Sequence, residues 1–112
     1  MTQRRARPVK HERVPRLVRE HIDAGQYLDT RHASERMAER QLTLPEVLYV
    51  LRHGHHEKRK DTFKREHNAW TYAMRGKTVD RRELRVCVSF DERDMLIITA
   101  IDLDASERKG TS

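Results

Sequence analysis

The run Leu84-Arg-Val-Cys-Val-Ser-Phe90-Asp-Glu-Arg-Asp94-Met95-Leu-Ile-Ile-Thr-Ala-Ile-Asp-Leu103 decides the fold class. Leu84, Val86, Val88 and Phe90 alternate with Arg85, Cys87 and Ser89, the two-residue period of a half-buried strand. Asp91 to Asp94 then form a polar hairpin turn into a second strand, Met95 to Leu103. That segment is apolar at Leu96, Ile97, Ile98, Ala100 and Ile101, so it is expected on both faces and centrally in the sheet. Just upstream, Ala69 to Arg75 places Trp70, Tyr72 and Met74 on one face of another strand. Strands in succession, joined by short polar turns, make an antiparallel sheet.

Before Gly54 the period is helical. Val14, Leu17, Val18 and Ile22 share one face of a helix expected over Val9 to Ala24, with Pro15 setting where its regular part begins and Gly25 stopping it. Gln26 to Asp29 is short and extended, an edge-strand candidate. A second helix is expected from Thr30 to Gln41, capped by Asp29 or Thr30. Thr43-Leu-Pro-Glu46 is a capping box opening a third, with Val47, Leu48 and Leu51 buried. Helices followed by strands give an α+β fold: N-terminal helices packed on a small twisted antiparallel sheet. The polar stretch His55 to Arg65 alternates too weakly to fix a register.

A chain of 112 residues has room for one domain. Expected along it are a disordered basic arm over 1–8, a single domain over 9–104 and a flexible tail over 105–112. Charged residues make up 38% of the chain against 36% hydrophobic, a balance that favours flexible ends or a tightly bound partner. The net charge is +6, and 18 of the 24 basic residues are arginine. The guanidinium fork suits phosphate, which makes a polyanion the leading partner class. No apolar run approaches the roughly 20 residues that span a bilayer, so no membrane partner is expected. The lone Cys87 precludes an internal disulfide and fits a reducing, cytoplasmic setting.

The second helix carries His32-Ala33, then Arg36-Met37, then Glu39-Arg40. This spacing resembles the signature of MqsR-like proteins in the RelE-like toxin superfamily, and the similarity runs from Arg16 to about Ile101 through Ala24-Gly25-Gln26, Thr30-Arg31, His67, Trp70 and Arg75. The resemblance implies helices on a twisted antiparallel sheet and cleavage of free or ribosome-associated mRNA. It also implies control by an antitoxin protein that binds DNA. Where such toxins carry a lysine before the hairpin, this chain has Lys58-Arg59-Lys60. It departs from them at Thr71, which stands for a glutamine, at Glu83 for a tyrosine, and at about Ile101 for a lysine.

RNA cleavage without a metal or cofactor needs a base for the 2′-hydroxyl, cations for the phosphorane and an acid for the leaving 5′-oxygen. His67 or Glu83 could be the base, and His67 or a lysine such as Lys60 the acid. Lys58, Arg59, Lys60, Arg75 and Arg85 could hold phosphate. Arg85 is the sharpest candidate, because it projects from the sheet face opposite Leu84 and Val86. Trp70 and Tyr72 could stack on bases, although alternating strand aromatics are more often core. His53, His55, His56 and His67 form no recognisable metal spacing, and no metal is assigned. In the second helix His32, Arg36 and Arg40 form a row at i, i+4 and i+8. It could contact RNA; the reading preferred here is that Arg36 and Glu39 anchor the helix on the sheet, because carboxylates in a phosphate-binding row would repel the ligand.

Overall fold

The computed structural model describes residues 7–104. Three helices, α1 (Val14–Asp23), α2 (Arg31–Glu39) and α3 (Leu44–His53), precede most of the sheet. The strands are β1 (Tyr27–Asp29), β2 (His55–His56), β3 (Thr62–Lys64), β4 (Ala69–Lys77), β5 (Glu83–Phe90) and β6 (Met95–Asp102). Their order is β1-β6-β5-β4-β2, with β3 also paired to β4. The fold is α+β as expected, but the sheet is mixed: β1 runs parallel to β6, with Tyr27 opposite Met95.

Local chemistry sets the helix boundaries. α1 starts at Val14, five residues later than the hydrophobic pattern suggests, because Pro15 fits only its first turn. Residues 7–13 run instead as a strap along β4. The Trp70 indole donates to the Pro8 carbonyl at 3.0 Å, the His11 amide donates to the Tyr72 hydroxyl at 3.0 Å, and Arg7 lies over the Phe63 ring. The end of the expected basic arm is therefore packed on the domain, while residues 1–6 and the tail over 105–112 lie outside the described residues. α1 closes with Gly25 at φ +68°, whose amide reaches Ile22 while Gln26 reaches His21, a left-handed cap that glycine enters without a Cβ penalty.

Thr30 caps α2 by accepting from the Ala33 amide, and the same hydroxyl donates to the Ile97 carbonyl at 2.9 Å. The Thr43–Glu46 capping box opens α3 as its sequence requires. α3 ends at Gly54 because the backbone of β4 passes too close for a side chain: a Cβ there would sit 2.5 Å from the Arg75 carbonyl oxygen.

All three helices pack on one face of the sheet. Val14, Val18, Ala33, Met37, Val47, Val50 and Leu51 meet Tyr72, Met74, Leu84, Val86, Val88, Met95, Ile97 and Ala100 in one buried cluster. The alternation read from β4 and β5 is the alternation observed. β6, expected to be central, lies next to the edge, and β5 is the middle strand. The apolar run misleads because the register skips a residue: Cys87 faces Thr99 while Val88 faces Ile97, leaving Ile98 as a bulge. Leu96, Thr99 and Ile101 consequently share the helix-free face with Arg85, Cys87 and Ser89.

The anchoring of α2 also differs from expectation. Arg36 and Glu39 pair with each other on the exposed side of the helix, whereas Arg40 reaches the sheet and donates to the Ala100 carbonyl at 3.1 Å. Arg82 extends the brace, donating to the Arg40 and Gln41 carbonyls and to Asp102. Arg40 wins because β6 leaves carbonyls unpaired beyond the three residues covered by β1, and the guanidinium satisfies one of them.

Candidate functional site

The face of the sheet without helices carries the charged cluster. On β4 the residues opposite Tyr72 and Met74 are Thr71, Ala73 and Arg75; on β5 those opposite Leu84, Val86 and Val88 are Glu83, Arg85, Cys87 and Ser89. Arg75 and Arg85 sit directly across from each other in the register. Two like charges so placed repel, and Glu57 resolves the conflict.

Glu57 follows β2, where its amide bonds the Ala73 carbonyl at 2.8 Å and directs its side chain onto the open face. Its carboxylate accepts from Arg85 Nε at 2.7 Å and from a second Arg85 nitrogen at 3.2 Å. Arg75 donates to the same carboxylate at 3.3 Å and to Glu83 at 2.9 Å. Only 8% of Glu57 is exposed, so this is a partly desolvated four-residue network. The hydrogen bonds from Arg85 outweigh the opposing burial and, with those from Arg75, lower the Glu57 pKa to about 2. Both guanidiniums are held more firmly protonated than usual, Arg75 chiefly by Glu83 and Arg85 chiefly by Glu57. Burial pushes the Cys87 thiol up, against the pull of Arg85 and Lys64.

Lys58, Arg59 and Lys60 form an exposed 3-10 turn immediately after Glu57, with the Lys60 amide bonded to the Glu57 carbonyl. The chain then returns at Asp61. This carboxylate accepts from the Ala73 amide at 3.0 Å, from His56 Nε2 at 2.9 Å and from Lys10 at 2.7 Å, so it takes the place of a strand partner where β2 has ended and β3 has not begun. Neither Glu57 nor Asp61 is singled out by the sequence, because each is a single acid in the basic stretch His55 to Arg65. The available signal is that burying an arginine pair demands a carboxylate, and Glu57 is the acid next to the β2 strand.

The residues expected to form one site are divided. Arg75, Glu83 and Arg85 converge, with Lys58, Arg59 and Lys60 beside them. His67 lies in a 3-10 turn before β4, and the six steps from Ala69 to Arg75 span about 20 Å at strand rise. It therefore does not share a reaction centre with Arg85. Instead it lines a separate cavity of about 1090 Å³ with Lys64, Thr71, Ser89, Leu96 and Ile98. The base-stacking role expected of Tyr72 is not available: the residue is 2% exposed and packs on the helix side against the rings of His11, His56 and Phe90. Trp70 also faces the helix side, edge-on to Phe63 and covered by Lys10.

The other histidines are dispersed. His53 stacks on Tyr49 in α3, His55 opposes Arg75, and His56 binds Asp61. Among the described residues no group of three or more histidine, cysteine, aspartate or glutamate side chains is placed to hold a metal ion.

Residues 30–102 match the domain of unknown function DUF4258. The chain belongs to the DUF4258 family. The matched span runs from the Thr30 cap to Asp102, so it includes the whole charged cluster and the cavity lining other than Pro8, but not α1 or the strap. No curated protein and no solved structure matches the chain. Among the described residues of this DUF4258 domain no helix is long and apolar enough to cross a membrane.

Proposed function

We propose that this DUF4258 protein is an mRNA interferase-like toxin that cleaves RNA at the Glu57–Arg75–Glu83–Arg85 cluster and is held in check by an antitoxin in the cytoplasm. The observation that carries the reading is the convergence of two arginines and two carboxylates on the helix-free face of a small sheet, next to the lysine-rich turn. Glu57 is too weak a base at neutral pH and serves to orient both guanidiniums. Glu83 is more exposed and is held by one arginine rather than two, so it is the group to take the proton from the ribose 2′-hydroxyl. The 2′-oxygen then bonds to phosphorus, Arg75 and Arg85 neutralise the phosphorane oxygens, and the bond to the 5′-oxygen breaks. Lys60, one turn beyond Glu57, supplies the proton to that leaving oxygen. The products are a 2′,3′-cyclic phosphate and a free 5′-hydroxyl.

The test is incubation of purified protein with end-labelled RNA and with the same sequence carrying 2′-deoxyribose. Cleavage of the ribose strand alone, slowed about 10²- to 10⁴-fold in Glu83→Gln as befits loss of an acid-base group, is the expected result. A Glu83→Gln protein as active as the parent, or equal cutting of both strands, would overturn the mechanism. One feature favours a second reading, a module that binds nucleic acid or a protein partner without catalysis: both arginines are already neutralised by carboxylates. Binding of RNA with no cut ends at any protein concentration would select it.

A further inference from the structure

The open face has a second cationic position that cleavage chemistry at the cluster does not use. β3 pairs with β4 so that Thr62 opposes Thr71 and Lys64 opposes Ala69. Thr71 belongs to the helix-free face, so Lys64 does too, and its charge is felt at the Cys87 thiol together with that of Arg85. Lys64 and Arg85 thus flank Cys87 on one surface. Between the cluster and the cavity the open face carries the half-buried Cys87 and Thr99, small uncharged side chains with no aromatic ring, and Ala73 lies buried beside them.

The cavity itself is chemically unlike the cluster. Leu96 and Ile98 give it an apolar floor, Lys64 supplies a cation and His67 an imidazole, and Glu66, Asp91 and Glu92 form an acidic rim. Acids at the rim repel phosphate but accept hydrogen bonds from base amino and imino groups. Its volume, about 1090 Å³, is at the upper end of small-molecule pockets and exceeds what one flat ring needs.

Resting on the reading of the face as an RNA site, we infer that the cavity is a nucleobase subsite distinct from the cleavage cluster, with Lys64 holding the adjoining phosphate. The single strand runs along the floor from one to the other. Thr71 at the near wall lies four residues along β4 from Arg75, and Ala69 at the far wall lies six, or about 13 and 20 Å at strand rise. With about 3.4 Å per nucleotide in a helically stacked strand, the two positions are about four to six nucleotide steps apart, and fewer if the strand is stretched. Binding therefore has a minimum RNA length.

Fluorescence anisotropy with 2′-O-methyl oligouridylates, which cannot be cut, tests this with chains from two to about ten nucleotides. Affinity should climb with length and level off near six. Lys64→Ala, an exposed position, should weaken the longest chain, lower its salt-dependence slope by about 0.7 as loss of one single-strand phosphate contact requires, and leave the dinucleotide unaffected. His67→Ala should follow the same length pattern. If affinity is already level at two nucleotides and neither variant matters at any length, while Arg85→Lys weakens every chain, the second subsite is refuted and the cluster stands. If no chain of any length binds the parent, the reading of the face as an RNA site falls and the subsite with it.

Discussion

Replacing Glu57 by glutamine should destabilise the domain by an amount that depends on pH in a fixed direction. The carboxyl is lowered from 4.5 to about 2, first by its hydrogen bonds from Arg85. At about 1.4 kcal/mol per pH unit, the difference is worth at most about 3.5 kcal/mol. Arg75 is 35% exposed, so water screens part of it, and about 1–2 kcal/mol is expected at pH 7. A lowered carboxyl contributes its stability above its unfolded value and loses it as pH falls through the folded one. The gap between parent and Glu57→Gln should accordingly be flat from neutral pH down to about 5. It should shrink to about two-fifths of its size near pH 3 and vanish below about 2. Urea unfolding followed by far-ultraviolet circular dichroism at pH 7, 5 and 3 measures it. Equal stability of the two proteins at pH 7, or a gap at pH 3 as large as at pH 7, would refute the role given to the carboxylate.

Further outcomes follow from single contacts. Arg40→Ala should cost about 1.5–3 kcal/mol by removing the charged donor to the Ala100 carbonyl, whereas Arg36→Ala should stay within about 0.5 kcal/mol because its partner is an exposed neighbour on the same helix; thermal melts that rank them the other way would contradict the anchor. Gly54→Ala should lower stability by about 1–3 kcal/mol, since the added carbon meets backbone oxygens on two sides, and an unchanged melting temperature would show that the strand can move aside. Alkylation of Cys87 should be slow at neutral pH and accelerate above the ordinary thiol range, or on adding urea, because burial holds the thiol protonated; fast labelling of the folded protein at pH 7 would contradict that environment.

Much of this fold is written in residue spacing. The Thr43–Glu46 box, the Thr30 cap and the two-residue alternation of β4 and β5 are local signals, and each produces the element it encodes. The departures come from tertiary pairing that no local window contains. The parallel contact of β1 with β6 joins segments nearly seventy residues apart, and the Ile98 bulge disguises a one-sided strand as a two-sided one. At the site, Arg75 and Arg85 are legible because strand parity alone places a residue on a face, whereas Glu83 enters through the resemblance, one residue before the strand read from Leu84. Glu57 is not legible, since its strand has only two residues and a register must exist before a side chain acquires a direction. Chemical type groups His67 with Arg85, yet distance along a strand grows with every residue, and the separation becomes visible only once both are placed on one ladder.

The covering of β4 bears on how copies of the chain behave toward one another. Its outer flank is met first by the two residues of β2, then by the Asp61 carboxylate on the Ala73 amide, then by the three residues of β3. At the opposite end of the sheet β1 is also only three residues long, and Arg40 occupies a carbonyl farther along β6. Among the described residues no border of the sheet offers a long straight row of unpaired amides and carbonyls on which a strand from a second molecule could align, the geometry from which intermolecular sheets grow. Asp61→Ala would expose one such amide in the middle of a nine-residue strand, and its first symptom should be aggregation on concentration.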